Sequence, residues 1–222
     1  MSDFNLHQKL FAEALGTAIL LAVVIGSGIM AETISGGNTG VALLGNTLAT
    51  GAILVVLILM FGPISGAHFN PAVTLAFWLN KDISTAHSLL YIGVQIIAGI
   101  AGVWLAHYIF EQELIQTSTH IRHGLPQGVS EALATFALVA SILFVVKLRP
   151  EAVPYAVGLV ITAGYWYTSS TSFANPAVTI ARAMSDTFAG IRPADVPLFI
   201  AGQIVGAVLA WACYRVFFKS EA

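Results

Sequence analysis

Six stretches of the chain, each at least fifteen residues long, contain no Asp, Glu, Lys or Arg: 14–31, 33–80, 83–110, 132–146, 152–181 and 196–214. A helix rises about 1.5 Å per residue, so about 20 mostly apolar residues cross a bilayer core about 30 Å thick. Of the 222 residues, 57% are apolar and 9% are charged, whereas a soluble domain is about 25% charged. These figures argue against a soluble enzyme or a disordered tail. A net charge of −2 with no basic patch argues against a nucleic-acid partner. The run Ile53 to Met60 is continuously apolar, which argues against an outer-membrane barrel with its alternating pattern. The expectation is a polytopic, all-α membrane protein.

The spans read as 9–31, 41–61, 86–109, 128–148, 152–171 and 196–218. Run 33–80 is too long for one span and is broken at Gly62-Pro63 and again at Asn70-Pro71. Asn175-Pro176 breaks run 152–181. A proline lacks an N–H and clashes with the preceding turn, so each is expected to start or interrupt a helix. Residues 1–10 are polar and lack a signal-peptide pattern, so the first span is expected to act as its own insertion signal. The single cysteine, Cys213, allows no internal disulfide and reads as a packing residue.

The two halves repeat. Glu13-Ala14-Leu15 recurs as Glu131-Ala132-Leu133, Asn70-Pro71-Ala72-Val73-Thr74 as Asn175-Pro176-Ala177-Val178-Thr179, and Gln95-Ile96-Ile97-Ala98-Gly99 is echoed by Gln203-Ile204-Val205-Gly206. The offsets are 118, 105 and 108 residues. This sets one membrane domain over 1–222, with repeat 1 at about 1–110, repeat 2 at about 128–222 and a connecting loop at 111–127. Three spans per half make the second half enter from the opposite face, an inverted repeat. With both termini in the cytoplasm, Lys9, Lys81, Lys147, Arg149, Arg215 and Lys219 lie inside, and Arg122, Arg182 and Arg192 outside. That balance fits the positive-inside rule.

Asn is a strong N-cap, and Pro is favoured at the first helical position. Both Asn-Pro-Ala motifs therefore read as helix starts, inside an apolar context. Asn70 to Leu79 and Asn175 to about Ser185 are each about ten residues, or half a bilayer. Two half-helices entering from opposite faces meet N-terminus to N-terminus near the midplane. Each carries roughly half a positive charge and unpaired N–H groups. A pore between them disfavours cations and protons and admits neutral molecules that accept hydrogen bonds. The amides of Asn70 and Asn175 add donors there if their oxygens cap the helices.

Ser65-Gly66-Ala67-His68-Phe69-Asn70-Pro71-Ala72-Val73-Thr74, Ala12-Glu13-Ala14-Leu15-Gly16-Thr17 and Ser130-Glu131-Ala132 together resemble the aquaporin, or major intrinsic protein, family over nearly the whole chain. The resemblance implies an aquaporin-like inverted repeat of six transmembrane helices plus two re-entrant half-helices, one pore per subunit and a homotetramer in the cell membrane. It also implies a selectivity filter at Thr50, Tyr165, Ser172 and Val178. Counting back from Asn175 would put Ala163 in place of Tyr165; the aromatic is preferred because it fills space. One departure matters: the family carries Arg after the second Asn-Pro-Ala, and here Val178 stands there. The nearest arginine, Arg182, is one turn further on the same helix face. A filter without that arginine loses a fixed charge and five donors. This departure, with the segments Tyr165 to Tyr167 and Asp186 to Gly190, resembles channels found beside bacterial arsenic-resistance genes. The implied solutes are arsenite, methylated arsenicals and small polyols, with water.

Glu13 and Glu131 are read as buried structural acids, each accepting hydrogen bonds from the re-entrant loop of its own half. The sharper reading is a proton relay, since ionisable groups within a membrane are costly. His68 is placed at the pore mouth, as a lining residue, a pH sensor or a loop brace. His120 and His123 sit with Glu111 and Glu113 in the connecting loop without a metal-ligand pattern. Gly51, Gly99, Gly102, Gly202 and Gly206 allow close helix approach, within the fold or between subunits. No cofactor, metal or catalytic constellation is indicated, so a passive channel for small neutral solutes leads. The alternatives are an ordinary water and glycerol facilitator and a gradient-coupled secondary transporter, which needs Glu13 or Glu131 as its coupling group.

Overall fold

The computed structural model describes residues 4–218. Residues 1–3 of the polar N-terminal segment, and Lys219 of the charge count, lie outside the described residues. Among the described residues eight α-helices form: α1 Leu6–Ile34, α2 Thr39–Ser65, α3 Pro71–Leu79, α4 Thr85–Ile109, α5 Leu125–Leu148, α6 Val153–Tyr167, α7 Pro176–Arg182 and α8 Val196–Phe217. There is no strand among the described residues. Asn5, Asn38 and Ser84 cap α1, α2 and α4 with their side chains, as short polar residues do at exposed helix starts. Prolines in the first turn open α5, α6 and α8.

Helices α1, α2, α4, α5 and α8 with its lead-in turn are long and apolar enough to cross a membrane. The fifth span, α6, has 15 residues, about 22 Å, and a one-turn 3₁₀ segment at Pro150–Ala152 precedes it. It stops at Tyr167 instead of 171, because Thr168 turns to extended backbone and its hydroxyl donates to the Gly164 carbonyl at 2.7 Å. Pro63 does not break α2. It lies in the last turns, which close through Gly66 N–H to the Gly62 carbonyl at 3.1 Å, and the left-handed Gly66, φ 90°, ends the helix. The second half-helix, α7, is only 7 residues long against 9 in α3, because the chain turns at Ala183 and Met184.

Helix packing repeats as the sequence does. α1 packs on α4 and α2 as α5 packs on α8 and α6, and α7 lies on α4 as α3 lies on α8. At the centre α2 meets α6 and α3 meets α7. Exchanging the two halves leaves this pairing unchanged, so one internal two-fold relates them. The chain leaves α1 and enters α5 at one face, and α1 begins and α8 ends at the other. We call the face with the connecting loop 110–124 and the segment 183–195 the distal face.

Small residues set the crossings. A Cβ on Gly202 or Gly206 would strike the Gly128 or Ala132 carbonyl of α5, so these glycines serve a contact within the fold. The α2–α6 crossing is the same kind of contact, between Gly51 and Gly158. Large apolar side chains such as Leu89, Ile97, Leu105, Val205 and Leu209 remain exposed on the outer faces, where lipid rather than water is the fitting solvent.

Candidate functional site

Two loops descend into the interior ahead of α3 and α7, and each is held from behind by one glutamate. Glu13 accepts from the Ser65 hydroxyl at 2.7 Å, the N–H groups of His68 and Phe69 at 2.9 and 2.7 Å, and Gln95 Nε2 at 2.8 Å. Glu131 accepts from the N–H groups of Phe173 and Ala174 at 2.9 and 2.8 Å, and from Gln203 Nε2 at 2.6 Å. Both acids are fully buried. The backbone they hold is left-handed at alternate residues, with φ 50° and 47° at Ala67 and Phe69, and 51° and 48° at Ser172 and Ala174. Such conformations cost roughly 1–3 kcal/mol each and persist only where the surroundings over-determine them.

The two helix starts meet through their asparagines. Asn70 Oδ1 accepts from Ala72 N–H at 2.8 Å, and its Nδ2 donates to the Ala174 carbonyl at 2.7 Å. Asn175 Oδ1 accepts from Ala177 and Val178 N–H at 3.0 and 3.3 Å, and its Nδ2 donates to the Phe69 carbonyl at 2.8 Å. Each amide thus caps its own helix and ties the opposite repeat. An amide NH₂ has two donors, so one hydrogen on each remains beside the cavity that both asparagines line. Pro71, Ala72, Pro176 and Ala177 are buried behind them as the first residues of the half-helices.

One cavity runs past these helix ends. Leu54, Ile58, Leu138, Ile142, Val157 and Ile161 give it an apolar wall. His68 lines it and is braced as well: its Nδ1 lies 3.1 Å from Thr74 Oγ1, and its ring stacks on Phe77 with centroids 4.7 Å apart. Thr50, Tyr165, Ser172 and Val178 converge on the same cavity. The Tyr165 hydroxyl donates to Thr50 Oγ1 at 3.3 Å. Ala163 faces outward and is exposed, so Tyr165 is the fifth-helix residue at this level. Gly164 makes room for Ser172, which a Cβ would strike.

The four are neutral, but the wall around them is not. Arg182, the last residue of α7, lines the same cavity and is 2% exposed. Its Nε donates to the Ala189 carbonyl. Its guanidinium carbon lies 3.4 Å from the centroid of the Phe173 ring. The charge missing at Val178 therefore reappears one turn toward the distal face. A second arginine, which the sequence reading placed only in an outer loop, joins it. Arg122 donates from Nε to the Gly190 carbonyl at 2.8 Å and from Nη1 to the Ser170 carbonyl at 3.3 Å. Its guanidinium carbon lies 5.0 Å from the same ring. Arg122, Arg182 and His120 line a shallow vestibule at the distal mouth. Partial burial and the two arginines hold His120 below the usual histidine range.

The connecting loop reaches the pore because it is clamped to the segment after α7. Ser118 N–H donates to the Ala183 carbonyl at 2.9 Å, and Arg192 N–H to the His120 carbonyl at 2.7 Å. Asp186 accepts from Thr119 N–H and Oγ1 at 2.7 and 2.9 Å, and Asp195 accepts from Arg122 N–H at 2.9 Å. Among the described residues no three His, Cys, Asp or Glu side chains gather as metal ligands, and His123 does not line the vestibule. Cys213 is half-buried on α8.

Comparison with known proteins fits this geometry. Residues 1–153 match the family model of the major intrinsic proteins. Aquaglyceroporin AqpS of Rhizobium meliloti (strain 1021) is 49% identical over 215 residues, which cover 97% of this chain and 92% of that protein. Aquaporin NIP6-1 of Arabidopsis thaliana is 28% identical over 219 residues, 96% of this chain and 70% of that one. The X-ray structure of the aquaglyceroporin from Plasmodium falciparum superposes with a TM-score of 0.73 at 20% identity, covering 95% of this chain and 96% of that one. The chain therefore belongs to the major intrinsic protein family, and it is a multi-pass membrane channel, passive and not an enzyme.

Proposed function

We propose that the channel conducts small neutral solutes of the polyol class, with water, and that neutral trivalent arsenic species such as arsenite and methylated arsenicals share the path. The observation that carries this reading is Val178 at the level of Thr50, Tyr165 and Ser172, with the nearest guanidinium, that of Arg182, stacked on Phe173 beside Tyr165 rather than rooted at the filter position itself. A constriction of one aliphatic, one aromatic and two hydroxyl side chains suits a solute with both a carbon face and hydroxyl groups. Asn70 and Asn175 keep donors beside the path, which favours neutral hydrogen-bond acceptors.

Glu13 and Glu131 act as structural clamps in this reading, since backbone and glutamine donors already surround them. That speaks against a gradient-coupled transporter. The chain is proposed to sit in the cell membrane as a homotetramer, termini in the cytoplasm, which makes the distal face external.

Stopped-flow on vesicles tests the filter. Val178→Arg is expected to cut glycerol and arsenite permeability about tenfold and water permeability by less than about twofold, since one barrier change of about 1.4 kcal/mol is a factor of ten. Equal loss of all three solutes would sink the filter assignment. Vesicles that pass water and glycerol but exclude arsenite would reduce the protein to an ordinary water and glycerol facilitator.

A further inference from the structure

The distal vestibule concentrates positive charge, and no carboxylate is among the residues that line it. Arg122 and Arg182 hold their guanidinium carbons within 5.0 Å of one ring centroid, that of Phe173. Two like charges held against one ring repel, and a protein that only needed a stacked cation there would supply one. No carboxylate pairs with either group; among the described residues the one ion pair joins Arg192 and Asp195. The acids within reach are committed elsewhere. Glu131 is sealed behind Phe173 by two backbone N–H groups and Gln203. Asp186 is turned to Thr119, and Asp195 to Arg192 and Arg122 N–H.

The donors are only partly used. Arg182 commits one of its five N–H donors to the Ala189 carbonyl and another toward Tyr165. Arg122 directs Nε and Nη1 at Gly190, Ser170 and Thr171, which leaves Nη2. Both side chains line the open vestibule, with His120 and Thr171 beside them. Planar guanidinium forks match the oxygen spacing of oxyanions better than they match a spherical ion. We propose that this vestibule binds one small oxyanion of the inorganic phosphate or sulfate class between Arg122 and Arg182, and that the bound anion plugs the pore. The plugging rests on the neutral-solute reading above. The anion stops there because the cavity beyond Val178 is walled by Leu54, Ile58, Leu138 and Ile142, which cannot replace its hydration.

Two measurements on the full chain test this. Equilibrium dialysis of the detergent-purified protein against radiolabelled inorganic phosphate, at constant ionic strength, should show one saturable site per chain, displaced by sulfate and not by equimolar chloride. Arg122→Gln and Arg182→Gln should each weaken binding at least about tenfold, and Arg122→Lys should fall between. Arg122 lies in a loop, so its variants remain informative if Arg182→Gln misfolds. Absence of a saturable site, equal displacement by chloride, or equal binding by Arg122→Gln would overturn the site. In vesicles, phosphate on both sides should lower glycerol flux several-fold in the wild type, and its effect should vanish in Arg122→Gln. Uptake of labelled phosphate through the channel, or unaltered flux at saturating phosphate, would overturn the plug. Vesicles that pass no glycerol without phosphate would count against the transport reading alone, because dialysis measures binding without transport.

Discussion

Phe69 and Ala174 hold left-handed backbone, φ 47° and 48°, two residues before the prolines that begin the half-helices. Neither is a glycine, so the conformation must be imposed. Glu13 and Glu131 impose it by taking the N–H groups that this backbone turns away from the pore. A neutral amide at either position would point an NH₂ at an N–H that needs an acceptor. Bonds to a charged acceptor contribute about 1.5–3 kcal/mol each. We expect Glu131→Gln to lower unfolding stability by about 3 kcal/mol or more, read as earlier thermal aggregation, while the water-to-glycerol permeability ratio of the surviving protein is unchanged. A changed ratio with normal stability would give the acid a conducting role.

Half-helices of 9 and 7 residues are too short to persist alone. They exist because Asn70 and Asn175 cap them and reach across to each other's loops, and because the long helices close around them. That closure depends on backbone-to-backbone approach at a few positions. Gly206→Leu should separate α8 from α5, since its Cβ meets the Ala132 carbonyl, and overpacking costs about 1–3 kcal/mol or more. Gly93→Ala on α4 meets nothing within 4 Å and should be neutral to stabilising by up to about 1 kcal/mol. Thermal unfolding in detergent separates the two; equal effects would show that the crossing tolerates spacing.

Across the whole molecule, the exchange of halves is broken where the connecting loop folds down on the distal face. That loop carries Ser118, Thr119, His120 and Arg122 onto the segment after α7. His120 in the folded state binds its proton less readily than the ordinary value of 6.5, through burial first and then through Arg122 and Arg182. As pH falls through about 6.5 the unfolded chain gains a proton that the folded chain resists. Stability contributed here is therefore full above that range and declines as pH falls toward the lowered folded value. Relative to the intrinsic amide rate at each pH, the protection of residues 111–124 against hydrogen exchange should fall between pH 7 and 5, and His120→Asn should remove that part of the change. A pH-independent loop would contradict the assignment.

Charge scarcity, the span positions and the duplicated Asn-Pro-Ala starts were legible in the sequence because they rest on local properties. Apolar length, a capping residue and a proline act within a few residues of themselves. The same local logic misjudged Pro63, because a proline in a helix's last turn loses only one bond, and it overran α6, whose end is set by a hydroxyl four residues away. Thr50, Tyr165, Ser172 and Val178 could be named by spacing within a resemblance; Tyr165 is preferred to Ala163 there as the space-filling aromatic, and the fold turns Ala163 outward while Tyr165 lines the cavity. Nothing in the sequence placed Arg122 beside Arg182, which lies 60 positions further along. Their meeting at Phe173 is a product of loop clamping by Ala183, Asp186 and Asp195. The sequence by itself determined that the chain lives in lipid as two inverted halves with two asparagine-capped helix starts at the centre. Only the tertiary structure decided where the remaining charge stands along the pore, because that position is the sum of long-range contacts no local pattern encodes.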